Sequence, residues 1–394
     1  MLAWRPGSSV DQVFSRFETI CPNPSPPMTR RDFIGTSTAA AAAALLLPTA
    51  LKAQPAATPR TQPRIPRWRG FNLTELTRGD RGHEFKETDF AWMQEWGFDF
   101  ARLPCSYWAW SSTKDWLTID EAALKPLDRA IALGRQHGIH LNLNLHRIPG
   151  YCVNGRELEP YLLFDSPRDS MQRALEAAVH HWTFLAKRYK DIPATQLSFD
   201  LFNEPPFMAD QSRYVEVAKA LIAAIRSVSP DRLIVVDGAD IGQTPVLGLI
   251  DEGVVQSTRG YLPKMVSHYT AQWVPPAEFE SLEKPTWPMV DKHGITWNRE
   301  KLRAELITKW RPLTDRGAPV HVGEWGCVPQ TPHEVCLAWM GDLLALWKEA
   351  GWGWSMWNLR GGFGILDSGR ADVAYEDFRG HKLDRKMLEL LLAN

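Results

Sequence analysis

Residues 198–207 read SFDLFNEPPF. Phe199, Leu201 and Phe202 make the body of a short apolar strand, and Asn203 and Glu204 end it. Pro205 and Pro206 cannot extend a β-ladder, so the chain must turn just past the carboxyl. A strand this apolar is expected to be buried on both faces, as in an all-parallel sheet. Its end would then open onto a cleft, where partial burial raises the pKa of a carboxyl toward that of a working acid. Asp200 is read as an interior structural residue.

The same strand-then-helix unit recurs on either side. RGFNLTEL (69–76) and FDFARLPC (98–105) read as strands, with helix-like spacing of Phe90, Met93 and Trp96 between them. A helix ending at Gly138 leads to HLNLNLHR (140–147), and a long helix from Met171 leads to the opening stretch. Beyond it, a helix from Tyr214 precedes LIVVDGAD, and KMVSHYT reads as the sixth strand. VHVGEWGC and GWSMWNLRG supply the seventh and eighth, with helices between and a final helix over HKLDRKMLELLLAN. About eight such units imply a parallel sheet, and in one domain they imply an α/β fold of the (β/α)8 barrel type. Its active site belongs at the C-terminal ends of the strands. An open doubly wound sheet would carry a glycine-rich turn after its first strand, and TRGDRGHE lacks that spacing. Long connections at 148–170 and about 271–297 are expected to shape the cleft.

The chain has 394 residues, a net charge of −1 and 23% charged residues, with no basic block, which argues against nucleic-acid binding. Residues 28–53 carry Arg30-Arg31, Phe33, an apolar run and small residues at Ala50 and Ala53, the pattern of a twin-arginine export signal. The apolar run is short for a membrane span. The expected organisation is therefore an upstream extension (1–27, with Met28 a natural start), the export signal (28–53), a linker (54–66) and a barrel (67–394). The expected location is periplasmic or secreted. Cys105, Cys152, Cys327 and Cys336 have no zinc-like spacing; disulfides and buried thiols are both open.

With the strands so placed, polar and aromatic groups collect at one rim: Arg102, His146, Asn203, Glu204, His268, Tyr269, Glu324, Trp357 and Asn358. Glu204 and Glu324 are the two carboxyls. A pair of this kind suits glycoside hydrolysis: one protonates the departing oxygen while the other attacks the anomeric carbon or activates water. A structural ion pair of Arg102 with either Glu is the bland alternative.

LFNEPP together with HVGEWG resembles glycoside hydrolase family 5, the cellulase family of the clan of 4/7 barrels, and the resemblance runs in order through the barrel. It implies that Glu204 is the acid/base and Glu324 the nucleophile of a retaining double displacement. It further implies that Asn203 binds the sugar 2-hydroxyl, Arg102 orients Glu324, and Trp357 lies under the cleaved sugar. His146 and His268 would bind hydroxyls or tune the carboxyls. The family carries His-x-Tyr or a close variant on the sixth strand; here His268 and Tyr269 are adjacent, which leaves open whether Tyr269 contacts the nucleophile.

The 18 Trp include several in the loops, Trp108, Trp110, Trp273, Trp287 and Trp297, each a candidate sugar platform or a packing residue. In RGGFGILDSGR, Asp367 and Arg370 are expected to pair with each other. No cofactor or metal is expected, and the partner is a β-glycan polysaccharide or oligosaccharide acted on by a monomer. An endo-β-1,4-glucanase is the first choice of activity, with β-mannanase or β-1,3-glucanase as alternatives. A catalytically silent carbohydrate-binding barrel is the alternative from another class, and a metal-dependent hydrolase would need clustered ligands.

Overall fold

A computed structural model describes residues 59–80, 83–274 and 283–394. The expected export signal and upstream extension and the first residues of the expected linker lie outside the described residues.

Eight parallel strands close into a barrel. They are β1 (Arg69–Asn72), β2 (Phe100–Ser106), β3 (His140–Arg147), β4 (Leu197–Asp200), β5 (Ile234–Asp237), β6 (Val255–Gly260), β7 (Val320–Trp325) and β8 (Gly353–Met356). Neighbours follow chain order, and β8 pairs with β1 to close the ring. The principal outer helices are α1 (Glu87–Glu95), α2 (Lys125–His137), α3 (Arg168–Arg188), α4 (Ser212–Val228), α5 (His333–Ala350) and α6 (Arg385–Leu392). Gly138 ends α2 in the left-handed conformation at φ 68°, the backbone state that only glycine adopts without strain. None of the described helices is long and apolar enough to cross a membrane.

The (β/α)8 expectation holds, and one strand was misplaced. KMVSHYT is not the sixth strand: Lys264–Ser267 form a single helical turn, and the strand is VQSTRG, Val255–Gly260. Its alternate polar residues are satisfied in two places, Gln256 and Thr258 on the connection after β5 and Ser257 with Arg259. The Gln256 amide exchanges hydrogen bonds with the backbone of Val246 at 2.9 and 2.8 Å, and Arg259 donates to Ser257 at 3.0 Å. The final helix is also shorter than expected, because His381–Leu383 pair with Glu376–Phe378 as a hairpin.

β3 shows how this barrel is filled. Its leucines, Leu141, Leu143 and Leu145, are buried, and Leu141 packs beneath Gly134 of α2. The alternate residues His140, Asn142 and Asn144 are buried too, on the polar side of the alternation. At the floor, Trp68 stacks on His140 with ring centroids 3.9 Å apart, and Phe100 lies against both His140 and His321. Residues 59–66, the described part of the expected linker, run with Arg67 and Trp68 across this end. The backbone N–H of Arg60 donates to Asp251 O at 2.9 Å, and Arg67 donates to Trp352 O at 3.2 Å.

Burial holds the His140 imidazole down at about 4, whereas an unfolded histidine titrates near about 6.5. Below pH ~6.5 the unfolded chain therefore takes up a proton that the folded chain refuses until about 4, and stability falls across that window. Thermal melts should show the midpoint dropping over this range, and His140→Gln should lessen the drop by one proton's share, since His181, His268 and His321 are held down in the same way. An unchanged slope in the variant would remove His140 from the account.

Candidate active site

Two arginines organise the mouth of the barrel. Arg102 on β2 is 1% exposed. Its Nε donates to Asp200 at 2.9 Å, one Nη to Asn72 at 3.1 Å and Glu324 at 2.6 Å, and the other Nη to Asn203 at 2.9 Å. Arg259 on β6 is 2% exposed. It donates from Nε to Glu204 at 3.0 Å, from Nη2 to Asn203 at 2.9 Å, and from both Nη atoms to Asp237. The same Nη2 lies 3.5 Å from Glu324. β6 bulges between Thr258 and Arg259, which puts Arg259 opposite Glu324 in the ladder. A Cβ on Gly323 would lie 2.9 Å from Arg259 Nη1, so a glycine before Glu324 is what leaves room for the guanidinium.

The two candidate carboxyls sit in different surroundings. Glu324 accepts from Arg102 and, at 3.3 Å, from the hydroxyl of Tyr261. Among the described residues Arg259 is the cation that Glu204 meets, and burial, then the Glu324 charge, push its pKa up to about 7. Its backbone is left-handed at φ 50°, a costly state for a side chain of this kind. It is pinned from both sides: its N–H donates to Asp237 at 2.8 Å, and its carbonyl accepts from Tyr151 at 2.6 Å. Phe202 packs against Tyr214 of α4, so the strict alternation that links Asp200 to Glu204 is broken where the strand ends. Asp200 lies within the barrel beneath Arg102, as expected, with its pKa raised to about 7 chiefly by burial.

Asn203 is held by two guanidiniums on its carbonyl oxygen, which leaves its buried Nδ2 without a protein partner among the described residues. Trp357 follows β8 and stacks on His146 at 5.5 Å between centroids. Burial and both arginines hold the His146 imidazole well below its ordinary value. These are neutral groups arranged around a charged centre.

A family model for cellulase, glycosyl hydrolase family 5, matches residues 59–362. The chain belongs to that family. A crystal structure of a glycoside hydrolase is similar, with a TM-score of 0.77 and 35% identity over 83% of this chain and 99% of the other. Among curated relatives, Endoglucanase C of Acetivibrio thermocellus is 25% identical over 74% of this chain and 88% of its own length. Glucan 1,3-beta-glucosidase D of Emericella nidulans is 34% identical over 30% of this chain and 15% of its own length. This family member is a glycoside hydrolase.

The structure brings Arg102, His146, Asn203, Glu204, Glu324 and Trp357 to one rim. His268 reaches it from the helical turn after β6 rather than from a strand, with its ring 4.9 Å from Tyr261. The phenol on Glu324 is that of Tyr261 rather than the expected Tyr269, because β6 ends at Gly260, ten residues before the end of KMVSHYT. Arg259, Asp237, Tyr261 and Tyr151 were missed. STRGY (257–261) would have signalled two of them as a variant of His-x-Tyr.

Most of the tryptophan candidates are structural. Trp110 is fully buried and donates to His181, Trp287 donates to Asp342, and Trp297 donates to Asp291. Trp108 is covered by the Arg147 guanidinium 4.0 Å above its ring. Trp273 is 64% exposed, and Phe207, just past the prolines, is 65% exposed. Arg370 binds the carbonyls of Cys327 and Thr331, and Asp367 binds His381, so these two do not pair. Cys105, Cys152, Cys327 and Cys336 are buried free thiols.

With the Glu204 proton lost near pH 7, activity should fall as pH rises through about 7. A kcat/KM profile flat to pH ~9 would contradict this use of Glu204. Tyr261→Phe keeps the ring and removes one hydrogen bond to a carboxylate. It should cost roughly ten- to a hundredfold in kcat/KM with little change in melting temperature.

Proposed function

We propose that this chain is a retaining endo-β-1,4-glucanase in which Glu204 is the acid/base and Glu324 the nucleophile. The observation that carries this reading is the unequal treatment of two carboxyls that share the Arg259 guanidinium. Glu324 also accepts from Arg102 and Tyr261, the setting of an anionic nucleophile. Glu204 is pushed up to about 7, the setting of a proton donor. In the first step a Glu324 oxygen bonds the anomeric carbon while the glycosidic bond breaks and the Glu204 proton passes to the leaving oxygen. In the second, water gives its proton to Glu204 and its oxygen to the anomeric carbon, which frees Glu324.

Asn203 Nδ2 donates to the sugar 2-hydroxyl, and Trp357 forms the platform beneath that sugar, with His146 behind it. Tyr261 helps to hold Glu324, and His268 supports Tyr261. Trp273, in the connection after β6, is the platform for a more distant sugar unit, with Phe207 a second exposed aromatic near the mouth.

A β-1,4-glucan is favoured because the longest curated matches bear endoglucanase names, and cellodextrinase A of Ruminococcus flavefaciens matches over 68% of this chain. The shorter match to a glucan 1,3-beta-glucosidase keeps β-1,3-glucan as the second reading. The presence of both carboxyls argues against a silent binding barrel. Export through a twin-arginine signal, to the periplasm or outside the cell, is supported by Arg30-Arg31 and the run that follows them.

Glu324→Ala should abolish hydrolysis of an aryl β-glycoside, and azide should restore turnover as the α-glycosyl azide. A variant that stays active without azide would sink the nucleophile assignment. Trp273→Ala should raise KM on a soluble β-1,4-glucan several-fold and leave a short aryl cellobioside unaffected. Equal effects on both would place Trp273 outside the cleft.

A further inference from the structure

β6 holds Arg259-Gly260-Tyr261 where the family resemblance leads to His-x-Tyr. The change matters because a guanidinium is a permanent charge. Set 3.0 Å from Glu204, it opposes protonation of the very group that must donate a proton. The structure carries a compensating anion. Asp237, at the end of β5, is fully buried and takes both Nη atoms of Arg259, one of them at 3.0 Å. The same carboxylate accepts the backbone N–H of Glu204 at 2.8 Å, and its own backbone carbonyl accepts from the Tyr214 hydroxyl. The fold makes space for the guanidinium at two glycines. A Cβ on Gly242 would come within 2.8 Å of Arg259 Cγ, and one on Gly323 would meet Nη1.

We propose that Arg259 and Asp237 are positioning residues that act on Glu204 as a neutral buried pair: Asp237 aims the guanidinium, and Arg259 holds the Glu204 carboxylate between the two steps. This rests on the acid/base reading of Glu204. When the proton has gone to the leaving oxygen, the new carboxylate faces Arg259 from β6. When water returns the proton, Asp237 remains to balance Arg259. Without Asp237 the guanidinium would favour the ionised acid. Without Arg259 the carboxylate would form in a desolvated site with no cation of its own.

The other groups around Glu204 are Glu324 on β7, Tyr151 on its carbonyl, and Arg102, Asp200, His146 and Tyr261 behind. Burial, Glu324 and Asp237 push the Glu204 carboxyl up, and Arg259 pulls it down. The two substitutions therefore carry opposite signs. Asp237→Asn keeps an acceptor for the Glu204 N–H and removes one negative charge. It should move the alkaline limb of kcat/KM down by about one pH unit. Arg259→Gln removes the cation and should move the same limb up by about as much.

The measurement is kcat/KM against pH on an aryl β-cellobioside for the full chain and both variants, with thermal melts to establish folding. Opposite shifts support the pair, since loss of structure alone has no reason to change sign. Limbs that stay put, or that move in the same direction, overturn it. Should Asp237→Asn not fold, Arg259→Gln decides alone, and a limb unmoved or lowered overturns the proposal. An inactive parent protein would instead sink the glycosidase assignment itself, so the two failures are distinct.

Discussion

Two guanidiniums sit almost wholly out of water inside this barrel, and the rest of the site follows from satisfying them. An unpaired buried charge is prohibitive, and removing one partner of a buried pair commonly costs about 3–5 kcal/mol. Arg102 and Arg259 therefore draw carboxyls from β4, β5 and β7: Asp200 and Glu204, Asp237, and Glu324. Both also donate to the single carbonyl oxygen of Asn203, which fixes which way its amide points. Its NH2 is left without a protein partner among the described residues. The cations thus orient the amide that the proposed function assigns to the sugar 2-hydroxyl.

The same network separates the two carboxyls to which the proposed chemistry gives different roles. Four carboxyls around two cations cannot all be ionised cheaply in a desolvated space, and the strain falls on particular members. Asp200 and Glu204 are the two pushed up to about 7. Asp200 lies below the rim and serves Arg102. Glu204 lies at the rim, where a proton is useful. Its left-handed backbone, pinned through Asp237 and Tyr151, sets it there at a conformational cost that the strand end and its two prolines help to hold.

Much of this was legible in the sequence. NEPP and VGEWG mark the ends of β4 and β7, and an apolar strand followed by a carboxyl and prolines has few other readings. β6 was not legible by apolar pattern, because VQSTRG is polar on both faces: Gln256 and Thr258 bond the backbone of the preceding connection, and Ser257 bonds Arg259. KMVSHYT, with apolar residues at suitable spacing, took its place. That slip displaced the phenol from Tyr261 to Tyr269 and hid Arg259. Asp237 was passed over because a lone Asp at a strand end gains meaning only once its partner is known. The tryptophans in the loops were likewise ambiguous: an indole N–H that finds a nearby carboxylate, as in Trp297 with Asp291, looks the same in sequence as one that faces a cleft.

The account stands on Glu324 as the atom that bonds to sugar. A 2-deoxy-2-fluoro cellobioside with a good leaving group slows the second step and lets the covalent intermediate accumulate. After incubation and proteolysis, mass spectrometry should find the added fluoro-cellobiosyl mass on the peptide containing Glu324. An adduct on Glu204, or release of the α-anomer with no adduct at all, would contradict it.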